Sequence, residues 1–276
     1  MRISRGILYM MLATLSFAFV GLGAKLLKHI ANQEINFFKA LVCMLVCYGA
    51  ARYKQVAVWG SNYRLLLARG ITGAVGIILY FITLQQLPLA LANTIQYTSP
   101  IFTAILGILL LQQPVGVRQW FYSAAAMGGV VIANGSATNV DLRYVLVGLL
   151  SALAMGVTNN LNSMLKGKEG PIVIVFYMSL FTALGTGGHL LYDFTMPQWR
   201  DVAILVAIGV LTFVTDTLAT TAFQLAAPAQ VSAVSYLVLP YSLALGYTFL
   251  GETYTWINLL GMGFVLLGAL SSSFDD

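Results

Sequence analysis

Ten times along this chain an apolar run of about twenty residues is closed off by turn residues or charges. The runs lie at roughly 6–25, 33–52, 65–86, 89–111, 117–134, 143–165, 171–192, 200–224, 229–250 and 254–273. Between them fall Arg52 to Arg64, Gln86-Leu87-Pro88, Gln112-Gln113-Pro114, Asn134 to Asp141, Lys166 to Pro171 and Ala226-Ala227-Pro228. A helix needs about 20 residues to cross the hydrocarbon of a bilayer. The pattern therefore predicts an all-α integral membrane protein with ten transmembrane helices. Ten spans take up about 200 residues, so a chain of 276 has no room for a soluble catalytic module. Only 8% of the residues are charged, against about 25% in a soluble domain. That excludes a cytosolic enzyme, a nucleic-acid reader and a disordered chain.

The few charges are informative about topology. Net charge is +5, and in such a chain a Lys/Arg excess marks the inner membrane face. With the amino terminus inside, Arg2, Arg5, Arg52, Lys54, Arg64, Arg69, Arg118, Lys166 and Lys168 fall on the cytoplasmic side. Lys25, Lys28, Arg143 and Arg200 fall on the outer side. The 9-to-4 bias predicts that both termini are cytoplasmic, in a bacterial inner membrane. The first run follows Arg2 and Arg5 as a signal peptide would. It is longer than the 7–15 residues of such a segment, so it reads as a retained helix. Trp59, Trp120, Trp199 and Trp256 mark run ends, as interfacial tryptophans do. Cys43 and Cys47 are four residues apart and read as small buried thiols.

The chain also matches itself weakly at a shift near 140 residues. Pro88 falls on Pro228, Pro100 on Pro240, Leu110 on Leu250 and Gly128 on Gly268. Nearer the start, at 138, Arg5 falls on Arg143, Lys28 on Lys166 and Phe38 on Phe176. The paired prolines weigh most, because the chain has only 7. Two repeats, 1–134 and 135–276, would each hold five helices. Five is odd, so the second repeat enters the membrane from the opposite side. Two inverted halves around a central cavity can open a shared site first to one side and then to the other. A duplication that merely builds a bundle is the competing reading.

Polar side chains inside a bilayer face a cavity or a partner. Several runs carry them at helical spacing: Tyr80 with Gly73 and Gly76, then Asn93, Gln96, Tyr97, Pro100 and Thr103, then Ser151, Thr158, Asn159 and Asn162. Thr212, Thr215, Asp216 and Thr220 follow, then Ser232, Ser235, Tyr236 and Pro240. The candidate substrate contacts are Tyr80, Asn93, Gln96, Tyr97, Asn159, Asn162, Asp216, Thr220, Ser235 and Tyr236. Interhelical hydrogen bonding is the alternative use of such stripes. Asp216 is the acid deepest in an apolar run. It needs a cationic partner such as Lys39, a bound proton or substrate ammonium, or a neutral state. Lys39 either snorkels to the headgroups or joins an ion pair or substrate. Pro88, Pro100, Pro228 and Pro240 are candidate hinges. Ala124, Ala125, Gly128 and Gly129, with Gly261, Gly263 and Gly268, predict close helix packing or a dimer contact. No zinc-protease motif, nucleophile elbow or phosphate loop is present in the sequence, and neither metal nor cofactor is expected.

Beyond these readings, the chain resembles the drug/metabolite transporter superfamily, in its ten-helix EamA branch. The resemblance rests on Glu34-Ile35-Asn36-Phe37-Phe38-Lys39, Arg69-Gly70 with Gly76 and Tyr80-Phe81, Leu87-Pro88-Leu89-Ala90 and Tyr97-Thr98-Ser99-Pro100-Ile101-Phe102-Thr103-Ala104. Ala227-Pro228-Ala229, Leu239-Pro240 and Leu250-Gly251-Glu252 add the second half. Lys39 stands where the family often has Arg, and Gln112 where it often has an acid. The resemblance implies a basket of helices one to four and six to nine, with five and ten outside. It also implies transport of amino acids, other small metabolites or drugs. The expected function is secondary active transport, by export, of a small polar metabolite such as an amino acid. Proton coupling is open, and the protein would be a monomer or homodimer. Uptake of a larger metabolite such as S-adenosylmethionine, a passive pore and a non-transporting scaffold are the alternatives. The expected partners are a small-molecule substrate and the lipid bilayer, with no nucleic acid.

Overall fold

The computed structural model describes residues 4–27, 29–87, 89–134, 141–192, 194–251, 253 and 255–274. Among them there is no strand. The helices are α1 (Arg5–Leu26), α2 (Asn32–Tyr53), α3 (Tyr63–Gln86), α4 (Leu89–Gln96), α5 (Ser99–Leu111) and α6 (Val117–Asn134), then α7 (Leu142–Met164), α8 (Pro171–Gly187), α9 (Trp199–Leu225), α10 (Pro228–Val234), α11 (Val238–Leu250) and α12 (Trp256–Phe274). Their ends follow local chemistry. The Ser4 hydroxyl accepts from Ile7 N–H at 3.3 Å and caps α1. The Asp141 carboxylate accepts from Arg143 N–H at the start of α7. Pro171 and Pro228 open α8 and α10, where a missing N–H costs nothing.

Among the described residues, seven helical stretches are long and apolar enough to cross a membrane: Arg5–Leu26, Asn32–Tyr53, Tyr63–Thr83, Ala92–Leu111, Leu142–Met164, Trp199–Leu225 and Pro228–Leu250. Pro171–Gly187 and Leu259–Gly268 are shorter apolar helices. Leu8, Phe17, Leu45, Leu109, Leu150, Leu184 and Phe249 project outward, exposed. Such a surface would drive aggregation in water and suits contact with lipid. The chain is a multi-pass membrane protein.

The fourth and ninth apolar runs are not continuous helices, as the hydropathy pattern suggested. The fourth breaks at Tyr97–Thr98 between α4 and α5. Pro100 has no N–H to offer the Gln96 carbonyl, and Ile101 N–H turns instead to the Thr98 carbonyl at 3.0 Å. The ninth tightens into a 3₁₀ turn at Ser235–Leu237, just before Pro240. Both segments then end alike. Gln112 and Gly251 take left-handed backbone, at φ 53 and 64, where α5 and α11 stop. Glycine adopts that conformation freely, whereas glutamine pays about 1 kcal/mol. Gln112→Gly should therefore stabilise the protein by about 1 kcal/mol. A raised melting temperature in detergent is the expected result; an unchanged or lower one would refute the assignment of strain.

Packing is interleaved. The most extensive helix contacts all run between the first six helices and the last six: α6 with α12, α1 with α9, α3 with α7 and α2 with α8. The α6–α12 seam is built on glycine. A Cβ on Gly129 would lie 2.5 Å from the Gly261 carbonyl oxygen, and one on Gly268 equally close to that of Tyr122. Gly128 and Gly263 face open space instead. Cys43 and Cys47 are fully buried between α2 and α8, unbridged.

Carboxylates fasten the loops at both ends. Glu169, between α7 and α8, accepts from Ser61 N–H at 2.5 Å, Asn62 N–H at 2.6 Å and the Ser61 hydroxyl at 2.8 Å. Burial works against its charge, but these donors outweigh it and hold the carboxyl below the ordinary range. At the other end, Glu34 on α2 accepts from Thr195 N–H at 3.1 Å. There the His29 ring also meets Asp201 at 3.0 Å.

Candidate functional site

The interior polar residues are organised by α7, which runs beside both α3 and α5. Close to its middle, the Ser151 hydroxyl meets the Gly76 carbonyl at 2.7 Å and Gln96 Oε1 at 2.9 Å. Two turns on, the Thr158 hydroxyl meets that of Thr72 at 3.0 Å. Asn159 donates to the Thr103 hydroxyl at 3.1 Å, and Asn160 to the Thr103 carbonyl at 3.0 Å. Asn162 Oδ1 then accepts from Arg69 Nε at 2.8 Å. Gly76 makes the α3–α7 approach feasible, since a Cβ there would press on Met155 at 3.1 Å.

Tyr80 and Asn93 meet directly: the phenol donates to Asn93 Oδ1 at 2.5 Å. Tyr97 sits at the break in the fourth run, half-buried, with its ring 6.0 Å from that of Tyr236. The Tyr236 hydroxyl donates to the Tyr97 carbonyl at 2.9 Å. That carbonyl is freed because Ile101 N–H bonds elsewhere. Tyr236 thus closes a backbone valence opened at the break, which explains why so large a polar side chain is fully buried.

Asp216 lies two-thirds of the way along α9, half-buried. It stands within electrostatic reach of both Lys39 on α2 and Arg69 on α3. Lys39 is the partner anticipated for it; Arg69 was not. By position Arg69 counts among the inner-side charges, because it falls only two turns into α3. It is instead 4% exposed, inside the bundle. Removing it leaves 8 inner charges against 4 outer ones. The clue in the sequence was the small and polar face that continues it at i+4, i+7 and i+11: Gly73, Gly76 and Tyr80.

The remaining positions divide by exposure. Asn93, Gln96 and Asn159 are half-buried. So is Ser235, whose hydroxyl bonds back to the Ser232 carbonyl at 2.6 Å. Asn162, Thr220 and Tyr236 are buried, so no ligand reaches them in this conformation. Pro100 is the second residue of α5, Pro228 the first of α10 and Pro240 the third of α11. Pro88 lies outside the described residues, as does Glu252. A crevice of about 360 Å³ lies at the Lys166 end of α7, lined by Leu111, Pro114, Ser163, Phe223 and Ala227.

The EamA-like transporter family matches the chain twice, over residues 4–135 and 142–274. The pseudopaline exporter CntI of Pseudomonas aeruginosa is 25% identical over 271 residues, 97% of this chain and 95% of that protein. A riboflavin transporter of Rhizobium johnstonii is 29% identical over 74% of this chain and 68% of its own. The S-adenosylmethionine uptake transporter of Rickettsia prowazekii is 21% identical over 64% of this chain and 60% of its own. A crystal structure of another protein superposes with a TM-score of 0.87 over 99% of this chain and 98% of that one, at 16% identity, which speaks for the fold alone. With matches that together span nearly its whole length, the chain belongs to the EamA-like transporter family.

Proposed function

We propose that this protein is a secondary active transporter that exports a small polar metabolite, such as an amino acid, across a bacterial inner membrane. It has ten spans, the seven long ones together with α6, α8 and α12, arranged as inverted repeats 1–134 and 135–276. Both termini are cytoplasmic. One observation carries the reading: the most extensive helix contacts come in exchangeable pairs. α1 packs on α9 as α7 packs on α3, α2 meets α9 as α8 meets α3, and α1 meets α11 as α7 meets α5. Under a shift of five spans each contact becomes its partner, and α2–α8 and α6–α12 map onto themselves. Two halves related in this way can trade conformations, which is what alternating access requires.

In this reading the broken segments α4–α5 and α10–α11 move, with Pro88, Pro100, Pro228 and Pro240 as hinges. Tyr80, Asn93, Gln96, Tyr97 and Asn159 orient the solute. Asp216 receives its ammonium or a coupling proton, offset by Lys39. Asn162, Thr220, Ser235 and Tyr236 shape the walls. The protein works without cofactor or metal, as monomer or homodimer, and not as an enzyme. Interior acids and bases of this kind are typical of proton relays and substrate paths.

The test is uptake of labelled amino acids into proteoliposomes holding the purified protein, with and without a pH gradient. Saturable flux driven by the gradient is expected, with Asp216→Asn losing the gradient dependence and Asp216→Glu keeping part of it. Flux that never saturates would instead mark a pore. Gradient-driven flux unchanged in Asp216→Asn would remove Asp216 from the mechanism. The relative that takes up S-adenosylmethionine favours one second reading, uptake of a larger metabolite. Labelled S-adenosylmethionine in the same vesicles separates the two.

A further inference from the structure

The charges around Asp216 do not cancel. Lys39 and Arg69 bring two formal positive charges within reach of one carboxylate. Asn162, which Arg69 bonds, is neutral, and the thiols within electrostatic reach, Cys43 of Lys39 and Cys47 of Asp216, add no positive charge. One positive charge is left over in a setting where an unbalanced charge is costly.

The hydrogen bonds point the same way. Arg69 spends Nε on Asn162 Oδ1. Its Nη1 is buried and has no acceptor among the described residues. Asp216 is near enough to act by charge, yet it does not accept from this nitrogen. Buried guanidinium donors are almost always satisfied, so an orphan at a polar site asks for a ligand. Gly73, one turn beyond Arg69, lets the guanidinium lie close against α3, since a Cβ there would sit 3.0 Å from Nη1. Nη1 is as closed off as Asn162 in this conformation, so a ligand meets it at another stage of the transport cycle. Lys39 remains half-buried rather than sealed.

We infer that Arg69 Nη1 and Lys39 form an anion subsite that receives a carboxylate of the transported molecule. The cargo is then an acid or an amphoteric metabolite, and not a simple amine or an uncharged solute. A carboxylate fits better than a phosphate monoester. Its single negative charge matches the single surplus positive one, whereas a phosphate would overshoot it. Its planar edge also suits a guanidinium. With an amphoteric cargo, the carboxylate meets Arg69 while the ammonium faces Asp216. This inference rests on the transport reading above and adds to it the class of substrate.

The experiment is thermal unfolding of the full-length protein in detergent, titrated with amino acids, each paired with its own carboxamide. The same pairs are then compared for flux in proteoliposomes. The acids should stabilise the wild-type protein at concentrations about tenfold lower than the amides, in keeping with loss of a charge-assisted bond. Arg69→Lys should keep a reduced preference for the acid. Arg69→Gln should treat acid and amide alike. Should Arg69→Gln not fold, Lys39→Gln removes the other cation of the subsite and carries the comparison; its acid preference should narrow, and an undiminished one overturns the inference equally. Equal response to acid and amide in the wild type, or an undiminished acid preference in Arg69→Gln, overturns the inference while saturable flux leaves the transporter intact. No binding and no flux with any member of the panel overturns both.

Discussion

Arg69→Met should cost the folded protein about 2 kcal/mol, the usual worth of a hydrogen bond from a charged donor whose loss leaves a buried acceptor, Asn162 Oδ1, unpaired. The change keeps an unbranched apolar side chain of similar length. What it removes is the cation beside Asp216 and the donor to Asn162 Oδ1. Arg69→Met/Asp216→Asn should cost clearly less than the sum of its two single changes, because each single change already loses the Arg69–Asp216 attraction and the pair loses it only once. Unfolding midpoints in detergent for the wild type, both single variants and the pair give the coupling directly. Additive losses would mean that the two side chains act independently and that the charged cluster does not exist as a unit.

An effect of at least comparable size is expected far from any charge. Gly129→Leu or Gly268→Leu should prevent α6 and α12 from closing on each other. In each case the new side chain would start 2.5 Å from a backbone carbonyl oxygen, and backbone cannot swing aside as a side chain can. Overpacking a tight interior costs typically 1–3 kcal/mol and more where the backbone itself must shift. Gly128→Leu is the internal control, with nothing within 4 Å of its Cβ position. The seam variants should lose monodisperse protein on size-exclusion chromatography, while the control keeps it. Equal behaviour of Gly128→Leu and Gly129→Leu would show that the α6–α12 contact does not depend on close approach.

Much of this architecture was legible from residue order. The helices fall where apolar runs lie between turn residues, because length and hydrophobicity decide that locally. The two interruptions were harder. Pro100 and Pro240 were visible inside apolar runs, but whether a proline kinks a helix or starts a new one depends on how nearby carbonyls are rescued. Here Tyr236, some 139 residues away, rescues the Tyr97 carbonyl. Arg69 was misplaced for a related reason. A cation two turns from a helix end can snorkel outward or point inward, and only packing decides. The small-residue stripes showed a similar ambiguity. Spacing marked out polar or glycine positions in seven runs, yet Gly129 is in the seam and its neighbour Gly128 is not. The Glu169 and Glu34 clasps join loops far apart in the chain, and no local signal announces them.

The interleaved packing has a consequence for how such a chain is made. Its broadest helix surfaces are all matched to helices from the opposite half. As the ribosome works from the amino terminus, α1 to α6 enter the bilayer before their main partners have been translated. During that interval Arg69, the Gly129 groove and the α3 face that will meet α7 must wait in lipid or beside the insertion machinery. Quality control for this protein therefore begins before synthesis ends: the nascent first half is the stage most exposed to degradation, and the arrival of α7 to α9 is the event that rescues it.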